Sequence, residues 1–439
     1  MLSNINKYKF DHKYIIKTLF NIFPLIMLMP SGYINLYIAT FIIYSYAFFF
    51  INKVNIKIFF TDYLLFIFFT SSIISTIIGY EKSDYIIIAK SFADIRFALL
   101  FLLIRNLFYN EIIKICTLLR LCLFFTIFLS LDIFLQFSYG KDIFGYPEIN
   151  GRYGGIFGDE AIAGSYIQKF SIFSILAIIY LKHNNILNKR LFLFSIVIIL
   201  GTGILLTLDR IPFLIYILLL LLLFILIKNL RKIIFLCIIS IIIIFFLFYG
   251  NNILIKNRYY PLIKFTEAIL VKFSNIININ ENIKDSNVNL KEKTMQTGIE
   301  YLLLFDSAIY TFENNFWIGS GKKSYYKSCD KLKKYRKDLL CAPHPHNIYL
   351  EISIYQGFVG LLIFIIFLIM LLKKFYYDLI IQKNNKANEI LKISLLIWFI
   401  CEISPLRSYG SIFQTVNGTF FWFVISIISS KLFIKKNIY

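Results

Sequence analysis

Long apolar runs separated by short polar breaks extend along most of the chain. A bilayer core of roughly 30 Å requires about 20 consecutive apolar residues in a helical span, and these runs are about that long and apolar on every side. Transmembrane β-strands would be shorter and would alternate in polarity, so the pattern predicts an all-α, polytopic membrane helical bundle. We expect about twelve transmembrane helices, near 14–30, 33–51, 58–79, 85–104, 112–137, 161–181, 191–208, 211–227, 233–250, 348–372, 390–406 and 412–430.

One long polar segment interrupts this pattern. Residues 251–347 are rich in Asn and Lys, but they include "EYLLLFDSAIYTFENNFW" (300–317), whose apolar residues have helical spacing. We therefore expect three regions: residues 1–250 with nine transmembrane helices and short outer loops, a large and mostly helical loop over 251–347, and three more transmembrane helices in residues 348–439.

The net charge of +21 first suggests a nucleic-acid partner, but its distribution indicates otherwise. With the N-terminus inside, the loops predicted to be cytoplasmic are rich in Lys and Arg whereas the short outer loops carry few, which is the positive-inside asymmetry that orients membrane proteins. The loops predicted to be cytoplasmic contain Lys53, Lys57, Arg105, Lys114, Lys182, Lys189, Arg190, Lys228, Arg231, Lys232, Lys373, Lys374, Lys435 and Lys436. We expect membrane lipids as neighbours, no nucleic acid, both termini in the cytoplasm, and residues 251–347 on the outer face.

Two of the six cysteines lie in the external segment. Cys329 and Cys341 are predicted to form a disulfide if that compartment is oxidising. Two unpaired thiols, or a zinc site with His344 and His346, are the alternatives, although the spacing suits zinc poorly. We expect no metal and no cofactor. The cysteines in predicted spans, where a thiol behaves as a small hydrophobe, are Cys116, Cys122, Cys237 and Cys401.

The stretch "HPHNIYLEISIYQGFVG" joins the external segment to the tenth span. Pro345 and Asn347 favour a helix start, so His346 should lie at or just before the N-terminus of that helix. The partial positive charge there disfavours imidazolium, and a neutral imidazole is a suitable general base for a hydroxyl. A solvated interfacial histidine is the alternative interpretation, and close helix packing explains Gly357 and Gly360.

Two further stretches place cations on the same outer face. Arg210, in "LLTLDRIPF", ends a long apolar run and either reaches toward lipid headgroups or binds an anionic ligand. Residues 151–170, "GRYGGIFGDEAIAGSYIQKF", combine Arg152, several glycines and the acidic pair Asp159 and Glu160. Glycine-rich backbone and arginine suit phosphate, although a plain loop also explains the glycines. Together these residues fit a lipid-linked diphosphate substrate and an incoming sugar hydroxyl.

The sequence resembles the O-antigen ligase and polymerase superfamily. In "PHPHNIYLEISIYQGFVG" the signature is His-Asn, nine residues, then Gly-x-x-Gly, matched by His346, Asn347, Gly357 and Gly360. The blocks "GGIFGDEAIAGSYIQKF", "LTLDR" and "WIGSGKKSYYKSC" are similar to family blocks and follow the family order. The resemblance covers roughly residues 60–430.

The resemblance implies a reaction. The donor would be a glycan on undecaprenyl diphosphate, transferred with inversion and without a metal to a sugar hydroxyl of lipid A-core. The site would face the periplasm from the bacterial inner membrane. His346 would activate the acceptor hydroxyl and Arg210 would contact the diphosphate. Supporting residues would be His344, Asn347, Asp159, Glu160, Gly357 and Gly360.

The resemblance also implies a second arginine about fifty residues before the histidine, where this chain reads "TMQTGIEYL". The second phosphate contact is therefore open. Arg152 is the first candidate, and Lys322, Lys323 and Arg258 are the others.

Other functions stay open at this point. A polymerase of the same superfamily would use a second lipid-linked glycan as acceptor. A flippase or transporter would suit about twelve spans, but inverted repeats and broken helices are not evident. In that case Lys90, Asp94 and Arg96 should matter more than His346, although Lys90 and Asp94 are spaced to form an ion pair along one helix. A nonenzymatic scaffold is the remaining alternative.

Overall fold

The computed structural model describes residues 11–79, 85–160, 162–180, 186–261, 263, 294–381, 386–405, 407–408 and 410–430. Over these ranges the regular structure is helical and there is no β-strand, only two isolated bridges in the loop before α8. The predicted all-α class is confirmed.

The helices follow the apolar runs. They are α1 (His12–Asn21), α2 (Phe23–Ile26), α3 (Ser31–Ile51), α4 (Phe60–Gly79), α5 (Tyr85–Phe92), α6 (Ile95–Tyr109), α7 (Ile115–Tyr139), α8 (Ala163–Tyr180), α9 (Ile186–Leu206), α10 (Arg210–Leu226), α11 (Arg231–Asn251), α12 (253–261), α13 (Thr294–Glu313), α14 (Tyr325–Leu332), α15 (Ile348–Ile381), α16 (Lys386–Ile403) and α17 (Thr415–Ser429).

Fewer of the described helices are long enough to cross a membrane than the twelve spans that the sequence predicts. Within the described ranges seven helices are long and apolar enough to cross a membrane, and α10 and α17 are shorter apolar helices. The first predicted span is divided between α1 and α2, with Pro24 in the first turn of the second helix, and the fourth is divided between α5 and α6 near Asp94. The structure thus supports a multi-pass membrane protein, while the count of twelve stays a prediction.

Packing places the predicted external segment, residues 251–347, beside the first half of α15. α4 packs along α15, α6 along α17, and α7 against both α8 and α9. α11 lies at the edge of the bundle, where apolar side chains such as Phe246 and Leu247 stay exposed. Such a surface suits contact with lipid tails.

The described part of the external segment consists of α12, α13 and α14, and residues 264–293 lie outside the described ranges. Cys329 and Cys341 form a disulfide with a Cα separation of 5.7 Å. The Leu340 N–H donates to the Ser307 hydroxyl at 2.8 Å, so the chain just before the histidines is held against α13.

A break in α15 fastens this segment to the bundle. At Gly357 the backbone has φ 68° and ψ −166°, which interrupts the helical hydrogen bonds. Residues 316–321 fill the break. The Phe358 N–H donates to the Phe316 carbonyl at 2.7 Å, and the Ser320 N–H donates to the Ile354 carbonyl at 2.8 Å. The segment "FWIGSG" therefore pairs with α15 much as one strand pairs with another.

Both α15 and the loop 316–321 need a glycine where they cross. A Cβ on Gly357 would lie 2.3 Å from the Trp317 carbonyl oxygen, and one on Gly319 would lie 2.5 Å from the Gly357 nitrogen. Gly357 thus permits close backbone approach to a loop rather than to a second helix. Gly360 faces Gln356 of its own helix, whose side chain would be 2.2 Å from an added Cβ.

Candidate functional site

Three arginines surround one carboxylate at the turn between α9 and α10. Arg210 is the first residue of α10, and Asp209 precedes it. The Arg152 guanidinium lies 3.5 Å from the Asp209 carboxylate, and Arg258 of α12 donates to the Leu208 carbonyl at 3.2 Å. We call Arg152, Asp209, Arg210 and Arg258 the arginine cluster.

The electrostatics of the cluster favour an anion. Burial raises the pKa of Asp209 to about 6, and the charges of Arg152, Arg258 and Arg210 oppose that rise. Burial, then the charges of Arg152 and Arg210, lower the pKa of Arg258. Three guanidinium groups around one carboxylate leave an excess of positive charge at half-buried positions. Arginine donors in such a setting suit a phosphate or diphosphate.

A glycine in the first turn of α8 brings the start of that helix onto this turn. A Cβ on Gly164 would lie 2.5 Å from the Thr207 hydroxyl oxygen and 3.1 Å from the Asp209 Cβ. The Gly155 N–H donates to the Gln136 side chain at 2.8 Å, and the Ile156 N–H donates to Asp132 at 3.0 Å. These backbone groups of the glycine-rich loop are therefore bonded to α7, and the loop's contribution to the cluster is the side chain of Arg152.

The two external histidines lie against each other at the start of α15. The ring centroids of His344 and His346 are 4.0 Å apart. The Asn347 side chain accepts from the N–H groups of Tyr349 and Leu350 at 3.0 and 3.1 Å, so it caps the helix. Its amide donates to the Pro405 carbonyl at 2.6 Å. His346 therefore directly precedes the helix cap.

Both imidazoles are biased toward the neutral form. Burial lowers the pKa of His344. Burial, reinforced by the charge of His344, lowers the pKa of His346 to about 4. The sequence predicted neutrality from the helix terminus, whereas burial is the main cause in the structure. A neutral imidazole can accept a proton from a hydroxyl near pH 7.

The loop before α17 connects the start of α15 with the interior of the bundle. The buried Glu351 accepts from the Ile412 N–H at 3.2 Å and from the Ser411 hydroxyl. Glu351 thus fixes residues 410–414, one helical turn after the Asn347 cap. Sequence analysis did not select Glu351, although a carboxylate within an apolar helix is itself a signal.

Two cavities meet along this loop. One, of about 290 Å³, is lined by Glu160 and by Ile211 and Pro212, the residues that follow Arg210. The other, of about 440 Å³, is lined by His344, Lys322, Lys323 and Tyr355. Gln414 lines both cavities. The two linings therefore share Gln414 and extend from Ile211, which follows Arg210, to His344, while Arg210 and His346 line neither cavity.

The first cavity also contains two cations that sequence analysis did not select. Lys169 of α8 donates to the Asn417 side chain at 2.8 Å, and Arg407 contacts the Gln168 side chain at 3.2 Å and forms an ion pair with Glu402. Lys169 interrupts an otherwise apolar run, and such a residue inside a span is a functional-site signal.

Lys322 and Asp94 form a buried ion pair, with side chains 5% and 1% exposed. The Lys90 side chain is exposed, and its carbonyl accepts from Lys322 at 3.1 Å. The ion pair predicted between Lys90 and Asp94 is therefore wrong, because the external segment supplies the cation instead. Lys322 as a phosphate ligand stays a prediction. Its ammonium is bonded to Asp94, and its side chain lines the cavity beside His344 and not the one next to Arg210.

The remaining candidates occupy less enclosed positions. Asp159 and Glu160 are exposed, and Glu160 borders the smaller cavity. Lys323 borders the larger cavity and has φ 59°. Within the ranges that the structure describes, no group of three or more His, Cys, Asp or Glu side chains is arranged to hold a metal ion.

Comparison with known proteins bears on this site. No curated protein sequence matches the chain. The family model described as O-antigen ligase matches residues 194–365, a range that contains Arg210, Arg258, Lys322 and both external histidines. The resemblance of this chain to the O-antigen ligase and polymerase superfamily is thereby confirmed.

Proposed function

We propose that this chain is an O-antigen ligase-like glycan transferase. It would transfer an oligosaccharide or polysaccharide from undecaprenyl diphosphate to a sugar hydroxyl of lipid A-core, on the periplasmic face of the bacterial inner membrane. Members of the superfamily are glycosyltransferase-like enzymes, which supports the reaction class. The observation that carries the proposal is the arginine cluster, because three guanidinium groups around Asp209 match the charge of a diphosphate leaving group.

In this mechanism the arginine cluster holds the donor diphosphate. Arg210 and Arg152 bind its oxygens, and Arg258, fixed to the Leu208 carbonyl, adds the third positive charge. Charge develops on the diphosphate as its bond to the anomeric carbon breaks, and cations already in place stabilise that charge most at the transition state. The chain's own side chains thus supply the electrostatic stabilisation, and no step requires a metal.

His346 acts as the general base. Its neutral imidazole takes the proton of the acceptor hydroxyl while the oxygen forms a bond to the anomeric carbon. Attack from the side opposite the diphosphate inverts that carbon. Asn347 caps the helix that directly follows this group, and burial, reinforced by the charge of His344, keeps the imidazole neutral. Glu160 and Gln414, which border the cavity beside Arg210, are placed to bind sugar hydroxyl groups.

The test is the lipopolysaccharide profile of a host strain in which His346→Ala replaces the wild-type chain. Bare lipid A-core is the expected result, with the variant accumulating normally in the membrane. The matched control is His12→Ala, since His12 is exposed and bonds only Tyr44 among the described residues. Core bearing a single repeat would indicate a polymerase. An unchanged ladder would contradict the role of His346.

A further inference from the structure

A basic cavity lies at the other end of α8, α9 and α10 from the arginine cluster. It opens between the end of α8, the start of α9 and the turn that joins α10 to α11, and its volume is about 750 Å³. The 17 residues of α10 separate it from Arg210, a distance of about 26 Å at 1.5 Å per residue. The cavity is therefore distinct from the candidate transfer site.

Four cations converge on its rim. They are Lys189, Arg190, Lys228 and Lys232, and the residues that line the cavity include no Asp or Glu. Arg190, Lys228 and Lys232 are exposed, and the Lys189 ammonium donates to the Ile179 carbonyl at the end of α8. The positive-inside rule explains basic loops on one face, but it does not require loops distant in sequence to direct their cations at one cavity.

The walls below this rim are apolar. They include Ile178, Leu193, Phe194, Ile233 and Leu236, and the outer side of α11 nearby keeps Phe235 and Leu236 about half exposed. A ligand that fits must combine an anionic head with a hydrocarbon body. The volume lies in the range of ordinary ligand pockets, and basic pockets between transmembrane helices suit anionic lipid headgroups.

We propose that this cavity binds an anionic phospholipid of the predicted cytoplasmic leaflet. The phosphates contact Arg190, Lys228 and Lys232, and the acyl chains lie along the apolar walls formed by α8, α9 and α11. A zwitterionic lipid binds more weakly because its ammonium meets four cations and no carboxylate. The bound lipid joins α9 to the α10–α11 turn, since Arg190 and Lys228 belong to different elements.

The test uses the full chain purified in a neutral detergent and titrated separately with cardiolipin, phosphatidylethanolamine and inorganic phosphate, with binding read by native mass spectrometry. We expect the affinity for cardiolipin to be at least about tenfold higher than the affinity for phosphatidylethanolamine. The variant Arg190→Gln, Lys228→Gln, Lys232→Gln should lose most of that preference. The matched control is Lys114→Gln, Arg120→Gln, Lys373→Gln, which removes the same charge from exposed positions outside the cavity.

The two triple variants distinguish a specific lipid site in the cavity from a general attraction of anionic lipids to the positive charge of the protein. Equal weakening in both would overturn the proposal, as would a wild-type chain that binds the two lipids equally. Inorganic phosphate that displaces cardiolipin at millimolar concentration would show an anion site without a lipid role and would also overturn it. If the triple variant does not accumulate, Arg190→Gln and Lys228→Gln alone should each weaken cardiolipin binding about threefold, and unchanged binding in both would refute the site.

Discussion

The pairing of His344 with His346 has a direct consequence for pH dependence. Burial and the neighbouring imidazole lower the pKa of His346 to about 4. The proposed base is active when neutral, so activity should be retained as pH falls through 6 and lost only as it approaches 4. The sign follows because a lowered pKa extends the range of the unprotonated form to lower pH.

His344→Gln tests this coupling. Removing the neighbouring charge should raise the pKa of His346 toward its ordinary value of 6.5, so the variant should retain a smaller fraction of its pH 7 transfer rate at pH 5 than the wild type does. The measurement is the transfer rate of the purified chain between pH 4 and 8. The same acidic limb in wild type, His344→Gln and the control His12→Gln would argue against the coupling.

Arg210→Lys tests the diphosphate contact at the same scale. Lysine keeps the charge but loses the forked pair of donors. We expect kcat/KM for the lipid-linked donor to fall about tenfold or more, through a higher KM and a lower kcat, because one charge-assisted hydrogen bond contributes about 1.5–3 kcal/mol and the cluster also stabilises the charge of the departing diphosphate. Arg258→Lys should act in the same direction, since its guanidinium also binds the Leu208 carbonyl.

The control for these substitutions is Arg336→Lys. Arg336 lies in the external segment and contacts Asp306 and Asp338 rather than the cluster. An unchanged dependence on donor concentration in Arg210→Lys, or an equal change in Arg336→Lys, would count against a phosphate role for the cluster.

Among the elements, α15 combines two functions that its break keeps separate. Its first nine residues form a short helix that Asn347 caps just after His346. The residues after Gly357 form the long apolar helix. The segment 316–321 satisfies backbone groups that the break would otherwise leave unpaired. The position of the histidines therefore depends on the external segment as well as on the membrane helix.

Gly357→Ala should disrupt this crossing. The backbone is in the left-handed region, where a side chain is strained, and the new Cβ would overlap the Trp317 carbonyl. We expect a loss of about 3 kcal/mol or more in unfolding free energy, seen as a lower midpoint of thermal unfolding in detergent. Gly319→Ala should behave in the same way.

Gly250→Ala is the matched control, because nothing lies within 4 Å of an added Cβ there and the residue is within α11. It should leave the midpoint unchanged or raise it slightly, since alanine favours helix. Equal midpoints for Gly357→Ala and Gly250→Ala would contradict the proposed crossing.

At the scale of the whole molecule, the buried pair of Lys322 and Asp94 joins the external segment to α6. Removing one partner of a buried pair leaves an uncompensated charge and costs about 3–5 kcal/mol. Lys322→Met and Asp94→Leu should each lower the unfolding midpoint, and the double variant should be more stable than either single variant.

The same double variant tests the predicted phosphate role of Lys322. If Lys322 only joins two parts of the fold, the double variant should keep its dependence on donor concentration. A stable double variant with a raised KM for the donor would instead assign Lys322 to the donor site. A double variant no more stable than the single ones would refute the structural pairing.

The sequence by itself determined the helical class and the approximate position of most apolar helices, and it predicted His346, Arg210 and Arg152 as site residues. These depend on local information, because a bilayer requires long apolar helices and because cations and imidazoles at their ends are conspicuous. The start of α15 could also be predicted from the sequence, because Asn347 caps this helix by accepting from backbone N–H groups only two and three residues away.

Only the tertiary structure decided which distant groups meet. It brought Arg258 to the Asp209 turn, paired Asp94 with Lys322 rather than Lys90, and placed the loop 316–321 in the break at Gly357. Each contact joins residues far apart in the chain, so its energy depends on burial and backbone approach that no local pattern records. The structure also decided that the first and fourth predicted spans each divide into two helices, near Pro24 and near Asp94.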